Sequence, residues 1–249
     1  MSQPAPFSID VSDAALEELR ARLRHTRWPE AETVEDWSQG IPLAYVRELC
    51  RYWADEYDWR RAERQLSSWP QCRLEIDGLG IHFLHVRSPH ENALPLIITH
   101  GWPGSVIEFL KVIGPLTDPT AHGGGAADAF HVVCPSLPGY GFSDKPSRAG
   151  WGVPRIAQAW LELMTALGYE RFGAQGGDWG AAVTMALGST GSERLAGIHL
   201  NMPVADPRAL GELGELTQPE QAALASFAHY NEWDSGYSNQ QSTRPQTVG

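Results

Sequence analysis

The chain has 249 residues, 42% of them hydrophobic, which is enough to bury one large core with additions. Its 19 Lys and Arg against 30 Asp and Glu leave a net charge of −11, and this argues against a nucleic-acid or anionic-membrane partner, because phosphate binding needs clustered cations. Cys50, Cys72 and Cys134 are odd in number, far apart and outside any CxxC spacing, so neither a disulfide framework nor a metal site is expected, and a reducing compartment fits. Met1 to Phe7 lacks the basic and apolar regions of a leader, and no apolar run approaches the ~18–20 residues of a membrane helix. The expectation is a soluble, cytosolic protein with no cofactor.

The first 70 residues read as a helical arm. Ser12 caps a helix from Asp13 to about His25, with Leu16, Leu19 and Leu23 as its apolar stripe. Acidic residues sit early in it and Arg20, Arg22 and Arg24 late, as the helix dipole favours. Further helices are expected from Leu43 to Trp53 and from Trp59 to Leu66, and the tryptophans 28, 37, 53, 59 and 69 are expected to pack this arm onto a core. From Pro70 the pattern changes. Cys72, Leu74 and Ile76 alternate with charged residues, and the turn signal Asp77-Gly78 leads into a strand over 81–86. Leu94 to Thr99 is a continuous apolar strand, as in a sheet covered on both faces. A helix over 105–116 follows, then a flexible His-Gly-Gly-Gly loop at 122–125, a strand over 131–134, a loop over 135–148, a helix over 154–167, and strands over 171–175 and 195–200 separated by a helix. This alternation predicts an α/β fold with a mostly parallel sheet over 71–202. The remainder, 203–249, reads as the start of a helical lid, with a helix over 213–230.

Chemistry concentrates at Gln175-Gly176-Gly177-Asp178-Trp179-Gly180-Ala181. Glycines two residues before and two after Asp178, between a strand and a small-residue helix, have the spacing of a nucleophile elbow. The occupant is an Asp, whose reference pKa of about 3.9 leaves it ionised at neutral pH without a base. A carboxylate attacking sp3 carbon gives an alkyl–enzyme ester, which suits an epoxide or a halide and suits peptides poorly. Water must then attack the ester carbonyl, and that step needs a general base and an oxyanion hole. The backbone N–H groups of Trp179 and of Trp102, in His100-Gly101-Trp102-Pro103-Gly104-Ser105, are the candidate oxyanion donors. The side chains of Trp102 and Trp179 are candidate pocket walls, and His100 reads as a structural residue tying the oxyanion turn.

Together these stretches resemble the microsomal-type epoxide hydrolases of the α/β-hydrolase superfamily. The matching residues are Arg22-Leu23 and Thr26 to Pro29, His100 to Ser105, Pro135-Ser136-Leu137-Pro138-Gly139-Tyr140-Gly141-Phe142-Ser143, Gln175 to Ala181, and Gly236-Tyr237-Ser238 with Gln241 to Pro245. The resemblance implies an α/β-hydrolase fold, a small-molecule epoxide substrate, a role in detoxification or aromatic hydrocarbon catabolism, and a lid tyrosine, Tyr237, that hydrogen-bonds the epoxide oxygen. A phenol of pKa about 10 is protonated at pH 7 and can donate to a developing alkoxide.

The hydrolytic half is harder to find. Beyond Asp178 stand His199, on the strand after the elbow helix, and His229, in the lid-like helix; Asp206 and Glu232 do not fall where a triad acid belongs. The expectation is a C-terminally truncated family member that lacks the base and acid, turns over poorly, and has an unprotected sheet edge prone to homo-oligomerisation. Two other readings stay open: a haloalkane dehalogenase, which also uses an Asp nucleophile followed by Trp, and a non-catalytic ligand-binding protein that keeps the pocket.

Overall fold

A computed structural model describes residues 3–203 and 215–248. The chain divides into two compact units, Met1–Pro203 and Val204–Gly249.

In the first unit the arm carries α1 (Asp13–Arg24), α2 (Leu43–Asp55) and α3 (Trp59–Ser67). The Ser12 hydroxyl accepts from the Ala15 N–H at 3.2 Å and so caps α1. Ahead of it lies a two-residue strand, β1 (Ala5–Pro6), which sequence periodicity cannot show because two residues have no period. The tryptophans behave differently from the expectation. Trp69 packs against the core and Trp28 lies beneath the Arg47 guanidinium. Trp37 and Trp53, however, are 59% and 45% exposed.

The sheet is built from β2 (Gln71–Ile76), β3 (Leu79–Val86), β4 (Leu94–Thr99), β5 (Phe130–Pro135), β6 (Phe172–Gly176) and β7 (Leu195–Leu200) together with β1. The strand order is β1-β2-β3-β5-β4-β6-β7. β4 pairs parallel with both β5 and β6, and β6 pairs parallel with β7; the pairs β1–β2, β2–β3 and β3–β5 are antiparallel. Asp77 and Gly78 both have positive φ, 51° and 72°, which gives β2–β3 its two-residue hairpin turn. The expected helix at 105–116 begins as a 3-10 turn (Val106–Phe109) and continues as α4 (Leu110–Thr117). The glycine-rich loop at 122–125 is not an open coil: two 3-10 turns, Pro119–His122 and Ala126–Asp128, bracket it. α5 (Val153–Ala166) and α6 (Trp179–Thr190) cover one face around the fully buried Trp160. Phe109 and Ile113 pack on the opposite face.

The order of chain connections matters for function. The chain leaves β4 for β5 on one side and later returns to β6 on the other. β4 and β6 are therefore neighbours whose following loops diverge, and the crevice at their carboxyl ends is where ligands bind in open α/β sheets.

The second unit contains α7 (Gln218–His229), a π-helical turn (Tyr230–Asp234), α8 (Gly236–Thr243) and α9 (Pro245–Val248). The expected helix start at 213 and Asp206 lie outside the described residues. α7 opens with a capping box in which Glu220 accepts from both the Thr217 N–H and its hydroxyl, each at 2.7 Å.

Two histidines, the buried His82 and the half-buried His85, should make this fold acid-sensitive. His82 Nε2 donates to Gln71 Oε1 at 2.8 Å and its Nδ1 accepts from the Ser136 hydroxyl at 2.9 Å, so the ring is a buried neutral tautomer. Burial, with Arg73 nearby, lowers its pKa from 6.5 to about 4. Burial, with Arg87 and His131, does the same to His85. In both cases the unfolded chain binds the proton first, so stability is lost as pH falls from 6.5 towards 4. Denaturant titrations across that window should show unfolding coupled to proton uptake, with a shallower pH slope in His85→Gln. A stability that rises on acidification there would contradict this.

Candidate active site

β4 and β6 are held in a register that pairs Thr99 with Gly176. The loop after each strand therefore starts at the same level. After β6 the chain turns at once into α6, and Asp178 occupies the turn with φ 51° and ψ −127°, a conformation that non-glycine residues seldom adopt. The turn closes because its flanks lack side chains. A Cβ on Gly176 would lie 2.0 Å from the Gly180 carbonyl oxygen, and a Cβ on Gly180 would lie 2.0 Å from the Thr99 carbonyl oxygen. Strand, turn and helix can approach this closely only with glycine at both positions.

The loop after β4 meets the elbow. The Trp102 N–H donates to Asp178 Oδ1 at 2.8 Å. Gly101 passes so near that a Cβ there would fall 2.4 Å from the Asp178 Cβ. Trp179 is the first residue of α6, so its N–H is among the unpaired first-turn donors and lies at the positive end of the helix dipole, next to Asp178. The indoles of Trp102 and Trp179 are 39% and 56% exposed.

His100 fixes this loop. Its Nδ1 donates to the Gly101 carbonyl at 2.9 Å and its Nε2 accepts from the Leu137 N–H at 3.1 Å. Both ring nitrogens are used and burial lowers its pKa, so the imidazole is a neutral strut, as its place in the sequence suggested. The segment after β5 is anchored in turn. The Ser143 hydroxyl donates to the Ser136 carbonyl and accepts from the His82 N–H. The Tyr140 ring meets His100 edge-on at 5.4 Å. Behind β4, the Trp160 indole N–H donates to Thr99 Oγ1 at 3.1 Å.

Two titratable groups near Asp178 were given no role in the sequence reading. Glu108 and Tyr140 both have raised pKa values, through desolvation first and through the Asp178 charge as well. Glu108 also borders a cavity of about 790 Å³ between α4 and β7, whose walls include Ile98, Gln175, Ile198, His199 and Asn201. Among the described residues no cluster of His, Cys, Asp and Glu could hold a metal, and no helix is long and apolar enough to cross a membrane.

Tyr237 is the second residue of α8, 50% exposed, with its hydroxyl 3.5 Å from that of Tyr230. It belongs to the second unit, whereas Asp178, Trp102 and Trp179 meet within the first. His229 stands at the end of α7, with Nε2 4.0 Å from Asp234 Oδ2.

Family comparison agrees with this fold. The model of the alpha/beta hydrolase fold matches residues 95–246. The chain belongs to the α/β-hydrolase fold family. Ahead of that region, the model of the epoxide hydrolase N terminus matches residues 4–109. A protein of Stigmatella aurantiaca that carries the name epoxide hydrolase is 61% identical over 98% of this chain and 55% of its own length. Epoxide hydrolase 1 of Oryctolagus cuniculus is 34% identical over 98% of this chain and 58% of its own length. The crystal structure of juvenile hormone epoxide hydrolase from the silkworm Bombyx mori superposes with a TM-score of 0.87 at 32% identity, covering 100% of this chain and 62% of that one. The chain thus spans about half to three fifths of the length of these relatives.

Within this α/β-hydrolase site the glycine flanks are the most sensitive positions. Gly180→Ala should cost about 3 kcal/mol or more, because backbone and not a flexible side chain must move. Chemical denaturation would measure it, and an unchanged midpoint would show that the elbow can relax.

Proposed function

We propose that this chain performs the alkylating step of an epoxide hydrolase, with Asp178 as nucleophile. The observation that carries the reading is the 2.8 Å hydrogen bond from the Trp102 N–H to Asp178 Oδ1. It pins one carboxylate oxygen and orients the other for attack. Oδ2 forms a bond to an epoxide carbon while the ring C–O bond breaks, and the electron pair passes to the departing oxygen. Tyr237 is assigned the proton that this oxygen takes up, as the resemblance implied. The names of the relatives, all three epoxide hydrolases, favour the epoxide over the alkyl halide.

Hydrolysis of the ester requires water to attack Cγ of Asp178 and a base to take the proton, with the Trp102 and Trp179 amides receiving the oxyanion. His100 cannot be that base, because both its nitrogens are committed. His199 lies on β7 and His229 in the second unit. We assign neither the role, so the 249-residue chain is expected to stop at the ester.

Exposure to an aryl epoxide should raise the intact mass by that of one epoxide, located on Asp178 by peptide mapping. Asp178→Asn should give no adduct, and Tyr237→Phe should slow its formation by about 100-fold. Multiple turnovers abolished by His199→Ala would overturn the assignment of roles. So would halide release from a haloalkane without any reaction with epoxides.

β7 has a partner strand on one side only among the described residues, and its Ile198 is 45% exposed. Such an edge favours pairing with a second copy. Sedimentation should show concentration-dependent association that weakens in Ile198→Lys.

A further inference from the structure

Glu108 lies in the 3-10 turn directly after the oxyanion loop, and its carboxylate folds back over that loop. A Cβ on Gly104 would fall 1.5 Å from Glu108 Oε1 and 2.7 Å from its Cδ. The carboxylate thus fills the space that a side chain at position 104 would take. The backbone amides of Ser105 and Gly101, at the two ends of the loop, lie on its side and favour its charged form. The loop is closed on itself by the Gly104 N–H to Gly101 carbonyl bond at 3.0 Å. The residue after Gly101 is Trp102, whose N–H holds Asp178 Oδ1.

We propose that Glu108 is a positioning residue whose carboxylate clamps the Gly101–Ser105 loop and so aims the Trp102 amide at Asp178. The proposal rests on the reading of Asp178 as nucleophile for its catalytic consequence, though not for its geometry. A charged acceptor holds backbone N–H groups about twice as strongly as a neutral one, so the clamp is firmer when Glu108 is ionised and weaker, though still made, with a neutral acceptor in its place. The charged group that bears on that ionisation is Asp178 from the elbow; His199 from β7 lines the same cavity. Alkylation converts Asp178 to a neutral ester and removes its repulsion of Glu108. The clamp is then firmest in the alkyl–enzyme, where the Trp102 amide must face the ester oxygen.

The clamp also explains two residue choices as one. A methyl group at 104 would displace the Glu108 carboxylate from the loop, so Gly104→Ala should act as Glu108→Ala does. In the 15N-labelled 249-residue chain, the Trp102 amide reports on the loop directly. Glu108→Ala and Gly104→Ala should shift its resonance and speed its exchange with solvent by about tenfold or more, the loss of one net hydrogen bond. Glu108→Gln should keep the amide protected but remove a pH dependence. In an Asp178→Asn background, where the nucleophile does not titrate, the Trp102 resonance should still follow a carboxyl ionisation, and adding Glu108→Gln should abolish it.

The rate of adduct formation with an aryl epoxide should fall in Glu108→Ala by about tenfold, with recovery in Glu108→Gln. A Trp102 amide indifferent to Glu108→Ala, or a titration that survives Glu108→Gln, would overturn the proposal. If Glu108→Ala does not fold, the titration in the Glu108→Gln background decides. If the native chain forms no adduct while the Trp102 amide responds as described, the clamp stands and the alkylation reading fails.

Discussion

Everything at the site depends on the parallel pairing of β4 with β6. That pairing aligns Thr99 with Gly176, so two loops from distant parts of the chain leave the sheet side by side. One presents an amide and the other a carboxylate, and they meet at 2.8 Å. The approach of α6 to β4 is limited by the Gly180 α-carbon against the Thr99 carbonyl. A slip of one residue would reverse the sides of every following side chain and separate donor from acceptor. Trp160, fully buried and bonded through its indole to Thr99, fixes the end of β4 from below.

The backbone strain at Asp178 follows from the same constraint. A positive φ in an aspartate costs on the order of 1–3 kcal/mol and persists only where the surroundings over-determine it. Here α6, the sheet and the Trp102 amide all do so. The result is a carboxylate held out from the sheet at the start of a helix, where unpaired N–H groups and the dipole favour negative charge. A carboxylate in this place needs no histidine beside it to carry its charge, which suits the nucleophilic role proposed for it. That is consistent with His100 being spent on the loop, neutral and doubly bonded.

Features set by local rules were legible in the sequence. The glycine spacing around Asp178, the apolar run of β4, the Ser12 cap and the His100-Gly101 turn each announce themselves within a few residues. Contacts that form only when strands pair were not. Glu108 looks like one more polar residue at a helix start; its position over Gly104 appears only once the loop is folded. Tyr140 acquires its electrostatic link to Asp178 through the loop after β5, 38 positions earlier in the chain by number. The exposure of Trp37 and Trp53 was equally hidden, because aromatic composition says that a residue can be buried and not what covers it.

The division of the chain into two units parallels a division of labour in the proposed chemistry. Asp178, the amide that meets it and the residues that steer them are all within Met1–Pro203, supplied by β4, β6 and their loops. The phenol assigned to the leaving oxygen comes from the second unit. Bond formation to carbon needs only the first set at fixed geometry, since the carboxylate carries its own charge. Protonation of the alkoxide can be met from a separate element, because a phenol needs only to reach the oxygen to donate to it. In the proposed reaction the first unit therefore fixes the attacking carboxylate, 2.8 Å from its amide donor, independently of the element that supplies the proton.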